Sequence, residues 1–144
     1  MSDPNAARIR ESFGKQSLMT TFGAQIDHVE RGSVTISSPI GENALQQQGF
    51  AHAGLTFALG DSAAGYAALT MLPADQEVVT AEIKINLLSP GRGARLRATG
   101  RVVKAGRRMV VVTSEVFAQG EDGAETCIAV LQGTMVPVPA SAPV

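Results

Sequence analysis

Alternating apolar and polar residues run through the second half of the chain. Over 79–87, every second side chain is apolar: Val79, Ala81, Ile83, Ile85 and Leu87. A period of two predicts a half-buried β-strand. Similar patterns predict three more strands, at 95–104, 109–118 and 125–136. Short Gly-containing turns join them at 89–93, 105–107 and 119–123. Four strands linked in this way favour an antiparallel meander.

The first half opens with a different pattern. Residues 3–15 read as a short amphipathic helix, which Ser2 or Asp3 can cap and in which Ile9 and Phe13 share a face. Two short strands are predicted next, at 24–29 and 33–37. A polar, irregular stretch follows over 39–50.

The segment 52–72 is predicted to be a long buried helix. It is rich in Ala and Leu, it is apolar nearly all the way round, and its one charge is Asp61. Pro73 is expected to end it. One helix can be covered all round only if a sheet wraps it.

The predicted fold class is therefore α+β, with a curved antiparallel β-sheet wrapped around a long central α-helix, which is the hotdog fold. We expect a single domain over 1–144, with an N-terminal helix at about 3–15, a core at about 20–137 and a flexible C-terminal tail.

Composition narrows the class of protein. Apolar residues make up 44% and charged residues 17%, which excludes wholesale disorder. No apolar run reaches the roughly 18 residues of a membrane span. The single cysteine, Cys127, cannot form an intrachain disulfide, which favours the cytoplasm. His28, His52 and Cys127 are too few for a zinc site, so no metal is expected. A net charge of −1 gives no sign of nucleic-acid or membrane binding.

The basic residues, however, are concentrated in one segment. No Asp or Glu lies between Lys84 and Ser114. Eight of the twelve Lys and Arg residues fall there: Lys84, Arg92, Arg95, Arg97, Arg101, Lys104, Arg107 and Arg108. The segment is either a solvated strand face or a site for a phosphorylated small molecule. Nucleic acid is the weaker interpretation, because no aromatic residue interleaves with these charges.

Asp61 is the strongest chemical clue. An ionised carboxylate in an apolar helix costs several kcal/mol unless it is paired or lines a cavity. Asp61 is therefore a candidate functional group, although a hydrogen bond to Ser62 or to the backbone is the structural alternative. His52 opens the same helix, where unpaired N–H groups can polarise a carbonyl; a capping role is its alternative.

The spacing of His52 and Asp61 implies more than one chain. Nine residues make about 2.5 helical turns, so the two side chains point to opposite sides and lie roughly 13 Å apart. Two antiparallel copies related by a two-fold axis could bring one of each to a small substrate. The spacing thus suggests a site shared between subunits.

The stretch LQQQGFAHAGLTFALGDSAAGYAA resembles the signature of PaaI-type hotdog acyl-CoA thioesterases, within the 4-hydroxybenzoyl-CoA thioesterase superfamily. In that family, Asn or Gln precedes G-x-x-H-G-G, here residues 49–54, and an acidic residue follows the His by nine positions. The later stretch TAEIKINLLSPGRGARLRATGRVVKAGRR is similar to the family's central strand and hairpin. The resemblance covers roughly residues 20–137.

This resemblance implies a hydrolase that splits acyl-CoA thioesters into free acid and CoA. The backbone N–H of Ala53 would polarise the thioester carbonyl, and the Gln46 amide would help to bind its oxygen. Asp61 of the partner subunit would act as general base or as nucleophile, with Thr80 orienting the water. His52 and Gly54 complete the predicted catalytic set. Two departures stand out: Ala53 replaces the first Gly of H-G-G, and Gln46 is longer than the commoner Asn.

The resemblance also implies the partners. CoA is part of the substrate, so no separate cofactor is expected, and its phosphates give the basic segment a purpose. Arg107 and Arg108 are the first candidates for phosphate contacts, with Lys104 and Arg101 next. We expect a homo-oligomer with a dimer as its minimal unit and a tetramer as the form common in the family. The acyl group could be medium-chain or aryl.

Two other functions remain open at this point. A hotdog hydratase or dehydratase acting on acyl thioesters also pairs a His with a carboxylate across a dimer. A non-catalytic hotdog module would bind acyl-CoA or only oligomerise, but such a module gains nothing from a buried carboxylate.

Overall fold

The computed structural model describes residues 3–140. Its helices are α1 (Pro4–Gly14), α2 (Ser17–Phe22) and α3 (Ala53–Leu69), with a single 3₁₀ turn at Glu42–Ala44. Its strands are β1 (Gln25–Glu30), β2 (Ser33–Pro39), β3 (Gln76–Leu87), β4 (Arg95–Ala105), β5 (Val110–Gln119) and β6 (Glu125–Pro139). The six strands form one antiparallel sheet around α3, which confirms the predicted α+β hotdog class.

The order of the strands corrects the predicted meander. The sheet runs β1-β2-β4-β5-β6-β3, so β3 lies beside β6 at an edge, and β4 pairs with β2. The segment 89–93 therefore carries the chain across to the other side of the sheet and does not close a hairpin. Of the four strands in the predicted meander, only β4, β5 and β6 are neighbours in chain order. Local alternation identified the strands, but side-chain periodicity carries no information about which strands pair.

A β-bulge in β3 corrects the predicted faces of that strand. The pairing with β6 shifts between Thr80 and Glu82, which leaves Ala81 as the extra residue. An extra residue moves every preceding side chain to the opposite face. Thr80 consequently lies opposite the fully buried Met135, on the side of the sheet that faces α3, and Val79 is 50% exposed.

Helix α3 packs on the concave face of the sheet at very short range. A Cβ placed on Gly100 of β4 would lie 2.3 Å from the carbonyl oxygen of Ala63, so only glycine permits this approach of helix and strand. The helix ends earlier than Pro73: its C-cap is Thr70, which is buried, and the Thr70 hydroxyl bonds the carbonyl of Ala67.

Helix α3 is also not covered all round, contrary to the prediction. Four positions at helical spacing form a stripe that is exposed or half-buried: Gly54, Phe57, Asp61 and Gly65. We call this stripe the open face of α3. Within 3–140 no helix or strand covers this face completely, because the sheet reaches the other sides of the helix, and β3 meets its edge through the bond between Thr80 and Asp61.

Helix α1 covers the far end of α3. Asp3 caps α1, as the sequence suggested, and Ser2 lies outside the described residues. The Asn5 side chain donates to the carbonyl of Thr70 at 2.9 Å, and the Arg8 guanidinium donates to the carbonyls of Leu72 and Gln76. Helix α2, which ends at Gly23 with a φ of 67°, is absent from the sequence prediction.

The C-terminal strand extends further than predicted. β6 continues to Pro139, and Pro137 and Pro139 pair with Val78 and Gln76 of β3. Because they are in the sheet, 137–139 do not belong to a frayed tail. The rest of the predicted tail, 141–144, lies outside the described residues. No helix within 3–140 is long and apolar enough to cross a bilayer.

Candidate active site

The N-terminus of α3 presents one backbone N–H without a protein partner. His52 is the N-cap, and its Nδ1 accepts the N–H of Gly54 at 2.8 Å. The N–H groups of Leu55 and Thr56 bond the carbonyl of His52. Among the hydrogen bonds of residues 3–140, none engages the N–H of Ala53. The helix start therefore offers the Ala53 N–H to a ligand, and the His52 ring acts as its cap.

Gln46 lies in the turn that leads to this helix. Its Oε1 accepts the N–H groups of Gln48 at 2.5 Å and of Phe50 at 3.2 Å, while its Nε2 donates to the side chain of Gln48 at 3.2 Å. These bonds hold the amide beside the helix start. Gln46 and Ala53 line one open cavity of about 380 Å³, which Thr56 also lines. One chain thus brings these two predicted site residues together.

Asp61 lies eight residues further along α3, on its open face. The Thr80 hydroxyl donates to Oδ1 of Asp61 at 2.8 Å, which is possible because the bulge at Ala81 turns Thr80 towards the helix. Partial burial raises the pKa of Asp61 above its ordinary value of 3.8, and the hydrogen bond from Thr80 opposes part of that rise. The carboxylate is held in place, yet one side of it remains open.

A second, smaller cavity begins at Asp61. Its volume is about 150 Å³, and Asp61, Thr80 and Tyr66 all line it. Ser12 and Gln16 of the N-terminal helices complete it from the far side. Neither residue is predicted from the sequence, since a polar residue on a short amphipathic helix (Ser12) and one in the connection after it (Gln16) carry no signal of a site.

The two halves of the predicted site are separate within one chain. Gln46 and Ala53 line one cavity, and Asp61 and Thr80 line the other. Eight residues of α-helix also place Ala53 and Asp61 about 12 Å apart along the axis. This separation is what the shared-site hypothesis requires.

The basic residues have different surroundings. Arg97 forms an ion pair with Glu125 and lies over the ring of Phe117. Arg101 reaches the hydroxyl of Ser33 at 3.3 Å. Arg107, Arg108 and Lys104 are exposed at or beside the β4–β5 turn, and within 3–140 no carboxylate pairs with them. These three cations have the freedom that a phosphate contact needs.

Arg92 is a basic residue that the sequence analysis did not single out as a site residue. Its guanidinium lies 4.1 Å from the centre of the Phe50 ring, a cation–π arrangement beside the cavity of Gln46 and Ala53. No group of three His, Cys, Asp or Glu residues within 3–140 could hold a metal ion.

Comparison with known proteins gives a consistent result. The sequence profile described as "Thioesterase superfamily" matches residues 48–125, which include the start of α3, Asp61 and Thr80. The crystal structure of a thioesterase family protein from Silicibacter pomeroyi is 38% identical, with a TM-score of 0.91, and the match covers 94% of this chain and 99% of that one.

Two further matches extend this result. The 1,4-dihydroxy-2-naphthoyl-CoA hydrolase of Listeria monocytogenes is 28% identical over 90 residues, which is 62% of this chain and 73% of that protein. The PaaI protein from the phenylacetic acid degradation operon of E. coli is 20% identical with a TM-score of 0.80, covering 93% and 94% of the two chains, and it shares the fold. The predicted resemblance to hotdog acyl-CoA thioesterases is confirmed.

The raised pKa of Asp61 predicts how stability depends on pH. The folded chain holds the Asp61 proton more tightly than the unfolded chain, so the free energy of unfolding falls as the pH rises through the raised pKa. Asn carries no charge to desolvate and can still accept the Thr80 hydroxyl. We expect Asp61→Asn to be more stable than the wild type at neutral pH and to lose this advantage below pH 3.8.

Guanidinium unfolding at neutral pH and near pH 3.5 would measure both effects. Glu82→Gln is the matched control, because Glu82 is exposed and accepts a similar hydroxyl bond from Thr134 at 2.7 Å. A wild type at least as stable as Asp61→Asn at neutral pH would contradict the prediction.

Proposed function

The chain belongs to the thioesterase superfamily, and we propose that it hydrolyses acyl-CoA thioesters to a free acid and CoA. The observation that carries the proposal is that one helix presents two groups that remain open to a ligand. A half-buried carboxylate lies on the open face of α3, and a backbone N–H without a partner lies at its start. Thioester hydrolysis needs a group that activates water and a donor for the developing oxyanion, and these residues supply both.

The open face of α3 suggests how the two groups meet. Gly54 and Gly65 have no side chains to project from this face, and Phe57 is 37% exposed on it. A second copy of the chain, packed antiparallel along this face, would cover the apolar side chains and bring its own Ala53 towards Asp61. The proposed active site is therefore built from two subunits, with a dimer as the minimal unit and a tetramer as the larger assembly.

The electrophilic half of the proposed site binds the thioester carbonyl. Its oxygen accepts the N–H of Ala53, where the α3 dipole adds a partial positive charge. Gln46 uses one amide hydrogen for Gln48, which leaves the other for the same oxygen. These donors stabilise the negative charge that grows on that oxygen in the transition state. Alanine in place of the family's glycine leaves the N–H intact.

Asp61 of the other subunit supplies the second half. Its carboxylate takes a proton from a water molecule while the water oxygen forms a bond to the carbonyl carbon. The C–S bond then breaks, the thiolate of CoA leaves, and the acid remains. Direct attack of the carboxylate on the carbonyl, followed by hydrolysis of the anhydride, uses the same geometry. In either route Thr80 fixes the carboxylate by its 2.8 Å bond.

The basic residues of the β4–β5 turn complete the proposal. Arg107, Arg108 and Lys104 would contact the phosphates of CoA, and Arg101 lies on the same strand end. A substrate of this kind and a chain with a single cysteine both fit a cytoplasmic enzyme.

Complementation between two inactive variants would test the shared site. Asp61→Asn removes the base and should lower kcat/KM for acyl-CoA by about 100-fold or more. Ala53→Pro removes the N–H, with a similar loss. Proline is tolerated at the first helical position, and His52 already has the extended backbone (ψ 142°) that a following proline requires. Refolding the two variants together should restore about one quarter of wild-type activity, because half of the dimers are mixed and each contains one intact site.

Free-thiol release from a panel of short, medium, long and aryl acyl-CoAs provides the readout. Each variant refolded alone serves as the control. Full activity of folded Asp61→Asn would contradict the role of the carboxylate. Two inactive variants whose mixture stays inactive, although mixed dimers form, would contradict sharing between subunits.

The Thr80 hydrogen bond predicts the pH at which the acidic limb of the pH–rate profile falls. Thr80→Val removes a bond that lowers the pKa of Asp61, so the carboxylate should ionise at higher pH and the limb should move upward. Thr134→Val breaks a comparable hydroxyl–carboxylate bond to Glu82 and should leave the limb in place. An unchanged limb in Thr80→Val would show that ionisation of Asp61 does not control the rate.

The phosphate contacts predict a difference between two kinds of ester. Changing both Arg107 and Arg108 to Ala should raise KM for a CoA ester about tenfold and leave KM for the matching pantetheine ester unchanged, because the shorter ester lacks the nucleotide phosphates. Arg31→Ala removes a charge from the β1–β2 turn instead and is the control. Equal changes in both KM values would exclude a phosphate contact at these arginines.

A further inference from the structure

The cavity beside Asp61 is closed at its far end by the N-terminal helices. Its volume of about 150 Å³ is that of a cavity that holds a benzene ring. Leu69 and Val78 supply apolar wall, and Ser12, Gln16 and Tyr66 form the end at the N-terminal helices. The space suits a ring or a short alkyl chain, and a longer chain would meet this end.

The end wall is polar and fixed. Gln16 donates from Nε2 to the Tyr66 hydroxyl at 2.8 Å, and Ser12 Oγ lies 3.1 Å from the same hydroxyl. Tyr66 is only 5% exposed, and Phe13 packs edge-on against its ring with centroids 6.1 Å apart. A hydroxyl has one donor and two acceptor positions, so these two partners leave one position of the Tyr66 hydroxyl for a ligand.

Helix α1, which carries Ser12 of this end wall, cannot easily move away. Asn5 and Arg8 bond the backbone at the end of α3 and the start of β3, and Ile9 is fully buried in the core. Displacing α1 to admit a long acyl chain would break these contacts together. Side chains, and not a flexible loop, therefore set the depth of the cavity.

The placement of the acyl group rests on the proposed function. If Asp61 delivers water to the carbonyl carbon, the carbonyl lies at the mouth of this cavity. CoA is too large to enter, so the thiol side of the ester must face solvent. The acyl side then points inward, towards Tyr66.

We propose that Ser12, Gln16 and Tyr66 determine the acyl specificity of this site, and that they select a compact acyl group whose far end forms a hydrogen bond. An apolar end group would leave the remaining position of the Tyr66 hydroxyl without a partner. Buried polar groups left in that state lower affinity.

A matched set of esters tests this inference. Hexanoyl-CoA and 5-hydroxypentanoyl-CoA differ only in a terminal methyl or hydroxyl group, and dodecanoyl-CoA tests length. We expect the wild type to prefer the hydroxylated ester to hexanoyl-CoA about tenfold in kcat/KM, and to hydrolyse the dodecanoyl ester at least about tenfold more slowly than the hexanoyl ester. Tyr66→Phe should bring the first ratio close to one, and Gln16→Ala should raise the relative rate on dodecanoyl-CoA.

Controls separate this inference from the function on which it rests. Glu11→Ala changes the exposed neighbour of Ser12 and should leave both ratios as in the wild type; Ser12→Ala replaces Tyr66→Phe if the latter does not fold. If the enzyme releases thiol but Tyr66→Phe or Ser12→Ala leaves the two ratios unchanged, the inference is overturned. The proposed function is then unaffected. No release from any ester would contradict the proposed function. Calorimetry with hydrolysis-resistant ketone analogues of the two short esters would then decide the inference, and equal affinities would overturn it.

Discussion

Everything in this molecule depends on how the apolar helix α3 is covered. The sheet approaches so closely that only a glycine fits at position 100, and the N-terminal helix closes the far end through Asn5 and Arg8. The sheet, including its edge strand β3, and helix α1 make these contacts. They still leave one stripe of α3 open. Apolar surface is costly to leave in water, and the second copy of the chain that we propose would cover this face.

The same coverage explains the state of the carboxylate. Full burial would force Asp61 to be neutral, and full exposure would leave it an ordinary surface group. At the edge of the open face it is partly desolvated and accepts a single hydroxyl bond, from Thr80. Partial desolvation makes a carboxylate a better base near neutral pH, and the hydrogen bond fixes its direction. The bulge in β3 makes that bond possible, so a local irregularity in an edge strand orients the proposed base.

The proposed acyl-binding residues and the proposed reacting groups lie in different parts of the fold. Asp61, Thr80 and Ala53 belong to the sheet and the central helix, within or beside the segment that matches the superfamily. Ser12 and Gln16 belong to the N-terminal helices, outside that segment. Chain segments of this kind can change the size and polarity of a cavity without moving the reacting groups, which allows one scaffold to serve different thioesters.

The sequence by itself determined the strands, the central helix and the fold class, and it singled out Asp61 as a candidate functional group, because a period of two, a run of alanines and a lone charge are local patterns. It also determined that His52 and Asp61 cannot meet within one chain, since nine residues of helix fix their separation. Only the tertiary structure decided that β3 pairs with β6, that Ala81 is bulged and that Thr80 therefore faces Asp61. It also brought Ser12 and Gln16, some 50 residues from Tyr66 in the chain, to the hydroxyl of that tyrosine. Pairing partners and cavity walls depend on contacts between distant residues, and no local pattern of side chains records them.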